Sequence, residues 1–193
     1  SAPAIAQKST KTLRLALQDP IRTVDEYNDS KPENSLLSSV LYSSLLWFDA
    51  RAQTLRPGLA KSWTRINPTT IEFDLRDDVT FHNGNKFDAD DVVYTVNYVK
   101  DPKVSLTFKS RYTWVKEIEK LGPYKVRIEA GTPNATDLGL LGYRTYIQDK
   151  ESFDTLENKC DYGRLTPYGT GAFKVASIDK NTGLVVERYN EFR

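Results

Sequence analysis

Three stretches of this chain share one pattern: a short strand-like run, a turn built from Pro, Gly or Asn, and a second such run. Ser62–Ile66 and Thr70–Leu75 flank Asn67-Pro68-Thr69. Trp114–Leu121 and Tyr124–Ala130 bracket Gly122-Pro123. Ala172–Ile178 and Leu184–Tyr189 flank the Gly-containing loop Asp179–Gly183. Proline presets the backbone of a turn and glycine reaches conformations other residues avoid, so each stretch reads as a β-hairpin. Ile71, Phe73 and Leu75 alternate with Glu72 and Asp74, which predicts one buried face on that strand.

Helices separate these hairpins. Pro32-Glu33-Asn34 opens an apolar helix with Leu36, Leu37, Val40, Leu41, Leu45 and Leu46 at helical spacing. A turn at Asp49–Arg51 and a Pro57-Gly58 turn follow it. Asp88-Ala-Asp-Asp91 reads as a helix start: Asp88 suits the N-cap, and Asp90 and Asp91 suit the positive end of the helix dipole. Val92, Val93, Val96 and Val99 form its apolar stripe, and Asp101-Pro102 stops it. Ala135–Leu141 spells a short helix, and Leu13–Leu17 a strand ended by Asp19-Pro20. This mixed order predicts an α+β fold, a mixed sheet with hairpins and a few helices, and not a regular βαβ repeat.

The 193 residues suffice for one sizeable domain, and 39% hydrophobic with 27% charged is a globular balance. A net charge of +1 gives no sign of a nucleic-acid partner, which needs a basic face. No apolar run approaches the ~18 residues of a membrane span, so no membrane insertion is expected. Ala4-Ile5-Ala6 has the small-x-small pattern of a signal-peptidase site, which makes 1–12 a post-signal segment. The lone Cys160 cannot form an internal disulfide, and its plain reading is a small buried apolar residue.

Motifs for chemistry are sparse. The one histidine, His82, sits in a Phe-His-Asn-Gly turn and reads as a solvent-facing or capping residue. No second His exists to build a metal site, no His-based triad suggests itself, and Gly169-Thr-Gly171 is too short for a phosphate cradle. No catalytic residue, metal or cofactor is expected. What stands out is aromatic residues and arginines in loops: Tyr27–Lys31 before the first helix, Arg111–Trp114 after the second, and Tyr143–Tyr146 after the third. Aromatic faces beside a guanidinium suit an oxygen-rich or charged small solute, and they also suit ordinary packing.

Leu55-Arg-Pro-Gly-Leu-Ala-Lys-Ser-Trp63, then Thr70–Gly84 ending in Phe-His-Asn-Gly, then Phe87-Asp-Ala-Asp-Asp-Val-Val-Tyr94 together resemble the signature of family 5 extracellular solute-binding proteins. These are the peptide- and nickel-type receptors of bacterial ABC importers. Pro167-Tyr-Gly-Thr-Gly-Ala-Phe-Lys174 and Val186-Glu-Arg-Tyr-Asn190 resemble the later blocks of the same pattern, in the same order. Asn83 stands where the family usually has Asp, and Ala172 where it usually has Pro; neither change threatens the fold.

The resemblance implies the N-terminal lobe of a type II (cluster C) periplasmic-binding-protein fold. It spans residues 13–193, with an inserted subdomain at about 48–165, and family members continue into a second lobe absent from this chain. It further implies a periplasmic monomer that binds a small solute such as a peptide, metal chelate or opine and docks on ABC transporter permease subunits. The ligand contacts carried over are Asn28, Asp29, Ser30 and Lys31; Arg111, Tyr112 and Trp114; and Tyr143, Arg144 and Tyr146. An enzyme on this scaffold and a chaperone-like module for extended peptides are the competing readings. Without a second lobe, weak or no solute binding is expected.

Overall fold

The computed structural model describes residues 21, 23–29, 31–179 and 183–192. The strand expected at 13–17, the segment 1–12, Ser30 and the loop tip at 180–182 lie outside them. The chain runs through α1 (Pro32–Leu41), β1 (Leu46–Asp49), β2 (Thr54–Pro57), β3 (Ala60–Asn67), β4 (Thr70–Leu75), α2 (Ala89–Lys100), β5 (Val115–Gly122) and β6 (Lys125–Ala130). It continues through the short helices α3 (Asp137–Tyr143), α4 (Lys150–Asp154) and α5 (Tyr162–Leu165) to the hairpin of β7 (Phe173–Asp179) and β8 (Gly183–Arg188).

All three expected hairpins form. Two of them dock through their inner strands into one antiparallel sheet of order β3-β4-β6-β5. Ile71, Phe73 and Leu75 are buried on its inner face, each stabilising by roughly 1.5–3 kcal/mol relative to exposure. On the other face Glu72 meets Lys125 and Arg127 in solvated pairs that contribute little. Helix α2 covers the inner face with Ala89, Val92 and Val96, while Val99 packs with Tyr27 and Tyr112.

Helix α2 starts as its sequence predicts. Asp88 accepts the Asp90 N–H at 2.7 Å, and Asp91 accepts the Asp88 N–H at 2.9 Å in return. The other Asp91 oxygen accepts the Lys150 N–H at 2.9 Å, so one carboxylate starts α2 and anchors α4. Burial pushes the Asp91 carboxyl up to about 7, against the pull of both donors.

Two expectations are corrected. The first helix stops at Leu41, although Leu45 and Leu46 keep its spacing. The carbonyl of Leu45 accepts from both Gly58 and Ala60, and that of Ser44 from Leu59, so tertiary bonds capture this backbone. Both leucines are fully buried, one in a loop and one opening β1. Their spacing records burial in the core and not continuation of the helix. Cys160 is exposed, its thiol donating to Asn28 Oδ1 at 3.3 Å, because it sits on a one-turn surface helix and not on a core-facing strand.

The Phe-His-Asn-Gly turn does more than turn the chain. Gly84 has φ of 92°, the left-handed region that disfavours a Cβ. The His82 Nδ1 accepts the Gly169 N–H at 3.2 Å, and Nε2 donates to the Gly171 carbonyl at 3.1 Å. That pairing needs a neutral ring with its proton on Nε2, and burial lowers the imidazole's affinity for a second proton. His82 is therefore neither a solvent-facing residue nor a helix cap: half-buried, it ties this turn to a loop 87 residues further on.

Asn83 donates to Asp149 Oδ2 at 2.7 Å and to Ser152 Oγ at 2.9 Å. This explains the asparagine, since an aspartate would set one carboxylate against another. Asn83→Asp is expected to destabilise by about 1–2 kcal/mol at neutral pH, measured by urea unfolding. The repulsion raises a folded-state pKa, so the deficit is largest at neutral pH. It fades as pH falls below the ordinary carboxylate range. Equal stability of the two proteins at neutral pH would refute this role for Asn83.

Candidate functional site

The loop before α1 folds on Asp25. Its Oδ1 accepts the Tyr27 N–H at 2.9 Å and its Oδ2 accepts from Asn28 Nδ2 at 2.5 Å, while burial pushes the carboxyl up to about 6. This turn buries Glu26, whose side chain is only 4% exposed, at the meeting point of two later loops. Its Oε1 pairs with Arg144 Nη1 at 2.9 Å and with Arg111 Nη1 at 3.5 Å.

Arg111 ends a one-turn 3₁₀ helix and lies over the Phe108 ring at 3.8 Å. The buried Tyr112 hydroxyl donates to the Arg144 carbonyl at 2.8 Å, and the Tyr27 hydroxyl donates to the Tyr146 carbonyl at 2.8 Å. Tyr27 and Tyr112 meet edge to face at 5.9 Å. Two hydroxyl bonds thus fix the backbone at Arg144 and Tyr146, and the two tyrosines that make them brace each other.

Three hollows adjoin this cluster. The first, about 10 Å³, lies among Glu26, Phe108, Arg111, Tyr112 and Arg144. A second of about 10 Å³ shares Glu26 and Tyr27 with it and adds Asp25, Tyr42, Tyr146 and Gln148. The third is an open cleft of about 510 Å³ that shares Tyr42 and Tyr146 with the second and is walled by Trp47, Phe48 and Phe192. The large cleft meets the expected ligand loops only at Tyr146. The cluster around Glu26 is where those loops converge, and it is the better candidate for solute recognition.

Of the expected residues, Arg111, Tyr112 and Arg144 come together, with Tyr146 in the adjoining wall. Asn28, Asp29, Lys31 and Trp114 line none of the three hollows. Asp29 accepts the Lys31 N–H at 3.3 Å, and Trp114 packs on the main core while its Nε1 holds the Arg111 carbonyl at 2.9 Å. The side chain of Tyr143, like Ser30, lies outside the described residues. Sequence reasoning missed Glu26, Tyr42 and Gln148. The Arg partners of Glu26 lie 85 and 118 residues away, beyond any local pattern. Among the described residues, no group of His, Cys, Asp and Glu could hold a metal ion, and no helix is long and apolar enough to cross a membrane.

Residues 54–193 match the middle region of the bacterial extracellular solute-binding proteins, family 5. The chain belongs to that family. The probable di/tripeptide-binding protein 5 of Pseudomonas aeruginosa is 31% identical, over 82% of this chain and 34% of that protein. MoaA of A. tumefaciens R10, solved in complex with mannopinic acid, superposes with a TM-score of 0.81 at 28% identity, over 90% of this chain and 36% of its own. NikZ of Campylobacter jejuni, solved with Ni(L-His), superposes with a TM-score of 0.79 at 26% identity, over 90% and 34%. This family 5 chain has the type II periplasmic-binding-protein fold, α+β as its hairpins predict. It spans about a third of the length of the relatives it matches.

Proposed function

We propose that this chain is the solute-binding lobe of a periplasmic receptor for an ABC importer, a binder and not an enzyme. The observation that carries the reading is the pair of guanidiniums, Arg111 and Arg144, set by one buried carboxylate between aromatic walls. A guanidinium has five N–H donors, and Glu26 occupies few of those on Arg111. Peptides, histidine chelates and opines, the ligand types named for the relatives, all carry carboxylates that such donors bind. Residues 13–193 act as one lobe, with about 48–165 as its inserted subdomain. A second lobe closes over the solute, and the closed monomer docks on the permease. No nucleic acid, cofactor or metal takes part beyond what the solute itself carries.

The test is calorimetry on a two-lobe protein containing this sequence, against di- and tripeptides, Ni(L-His) and opines. One class is expected to bind, and Arg111→Ala is expected to weaken it by roughly 10- to 100-fold, the worth of one charge-assisted hydrogen bond. Binding unchanged by Arg111→Ala would move the site elsewhere. No binding by any class, with capture of unfolded chains instead, would favour a chaperone-like module.

A further inference from the structure

The second hollow has a property that the guanidinium pair does not explain. Glu26 Oε2, Tyr42 Oη and Gln148 Oε1 are buried without a hydrogen-bond partner, and all three residues wall this one space. A buried polar atom left bare costs on the order of 1–3 kcal/mol, and more if charged, so three in one place mark a missing partner. A fourth such atom, Thr170 Oγ1, lies outside it.

The chemistry of the walls selects the partner. A carboxylate oxygen and an amide oxygen only accept, and a phenol oxygen accepts as well as donating its own proton. The other polar walls are already engaged: Ser38 Oγ donates to the Val24 carbonyl, the Tyr27 hydroxyl to that of Tyr146, and Asp25 accepts from Tyr27 and Asn28. Two carboxylates border the space and, among the described residues that wall it, none is basic. The arginines sit on the opposite oxygen of Glu26. A volume of about 10 Å³ admits one heavy atom with its hydrogens.

We propose that this hollow binds a primary ammonium group, whose three N–H donors meet Glu26, Gln148 and Tyr42. Its fourth bond has to pass between Tyr42 and Tyr146, the two residues that the hollow shares with the 510 Å³ cleft. As a subsite for transported solute this rests on the receptor reading, and it narrows the solute to one with a primary amine. As an ammonium site it stands on the buried oxygens alone.

The first probe is methylammonium chloride, with tetramethylammonium chloride at equal ionic strength as the control. A group that binds only the folded chain raises the melting midpoint by mass action. Methylammonium is expected to raise the midpoint of the 193-residue chain and tetramethylammonium, which has no N–H, is not. Gln148→Met is expected to weaken the methylammonium effect about tenfold or more. Tyr42→Phe, which removes one oxygen and no volume to speak of, serves if Gln148→Met fails to fold by circular dichroism. Equal midpoints in the two salts, or an unchanged response in a folded variant, overturn the proposal and leave the space to water. A two-lobe protein that binds a solute and its N-acetylated form equally well overturns the ammonium subsite while the receptor reading stands. A methylammonium response in a protein that binds no solute keeps the site and removes the receptor.

Discussion

Gly169→Ala is expected to cost at least about 3 kcal/mol and to leave the chain largely unfolded at moderate urea. A Cβ built on Gly169 collides with the Leu41 carbonyl oxygen and the Tyr42 ring, and one on Gly171 collides with the Val40 and Leu41 backbone. The obstacle is space and not backbone conformation, since neither glycine has a positive φ. Nor can the neighbours yield. The Leu41 carbonyl accepts the Gly171 N–H at 2.9 Å, and Gly169 is bonded on both sides to His82, through its N–H at 3.2 Å and its carbonyl at 2.9 Å. Moving this segment would break the link between the end of α1, the His82 turn and the last hairpin together. Gly139→Ala is the control: a Cβ there meets nothing within 4 Å, and alanine favours the helix by up to about 1 kcal/mol. Urea midpoints that move equally for the two variants would sink the argument.

The same residues show how far the sequence reached. Gly-Thr-Gly was readable as a block of the family pattern, but its purpose needs α1, more than a hundred residues earlier, to be in view. Local chemistry was legible wherever the partners are local: the Pro and Gly turns of three hairpins, and Asp88 with Asp91 at the start of α2. The β1–β2 hairpin was not legible as strands. Trp47 and Phe48 are both exposed, so the alternation that marks a half-buried strand is missing there. The site divides along the same line. Arg111 and Arg144 stood out because guanidiniums beside aromatics are conspicuous in loops. Glu26 and Gln148 did not, because a buried acid or amide is recognisable only by its surroundings, and theirs come from segments far apart in the chain.

That dependence on distant partners sets the second large effect, at Arg65. Arg65 Nη2 donates to both oxygens of Asp137, at 2.8 and 2.9 Å, and the Asp137 side chain is only 2% exposed. Beyond Arg65, that carboxylate has the Leu138 N–H at 2.6 Å. Asp137 opens α3, and α3 leads directly into Arg144 and Tyr146, while Arg65 stands on the edge strand β3. One ion pair therefore fastens the site-bearing helix to the sheet. Arg65→Ala leaves a buried charge with a single donor. Breaking a buried pair costs about 3–5 kcal/mol, and the 37% exposure of Arg65 brings the expectation to about 2–4 kcal/mol. Asp137→Asn in the Arg65→Ala background removes the stranded charge and should restore part of the loss. A double-mutant cycle with a coupling above about 1 kcal/mol is the expected result. Additive effects would mean that Asp137 finds water once Arg65 is gone, and that α3 is held by its apolar contacts with β1 alone.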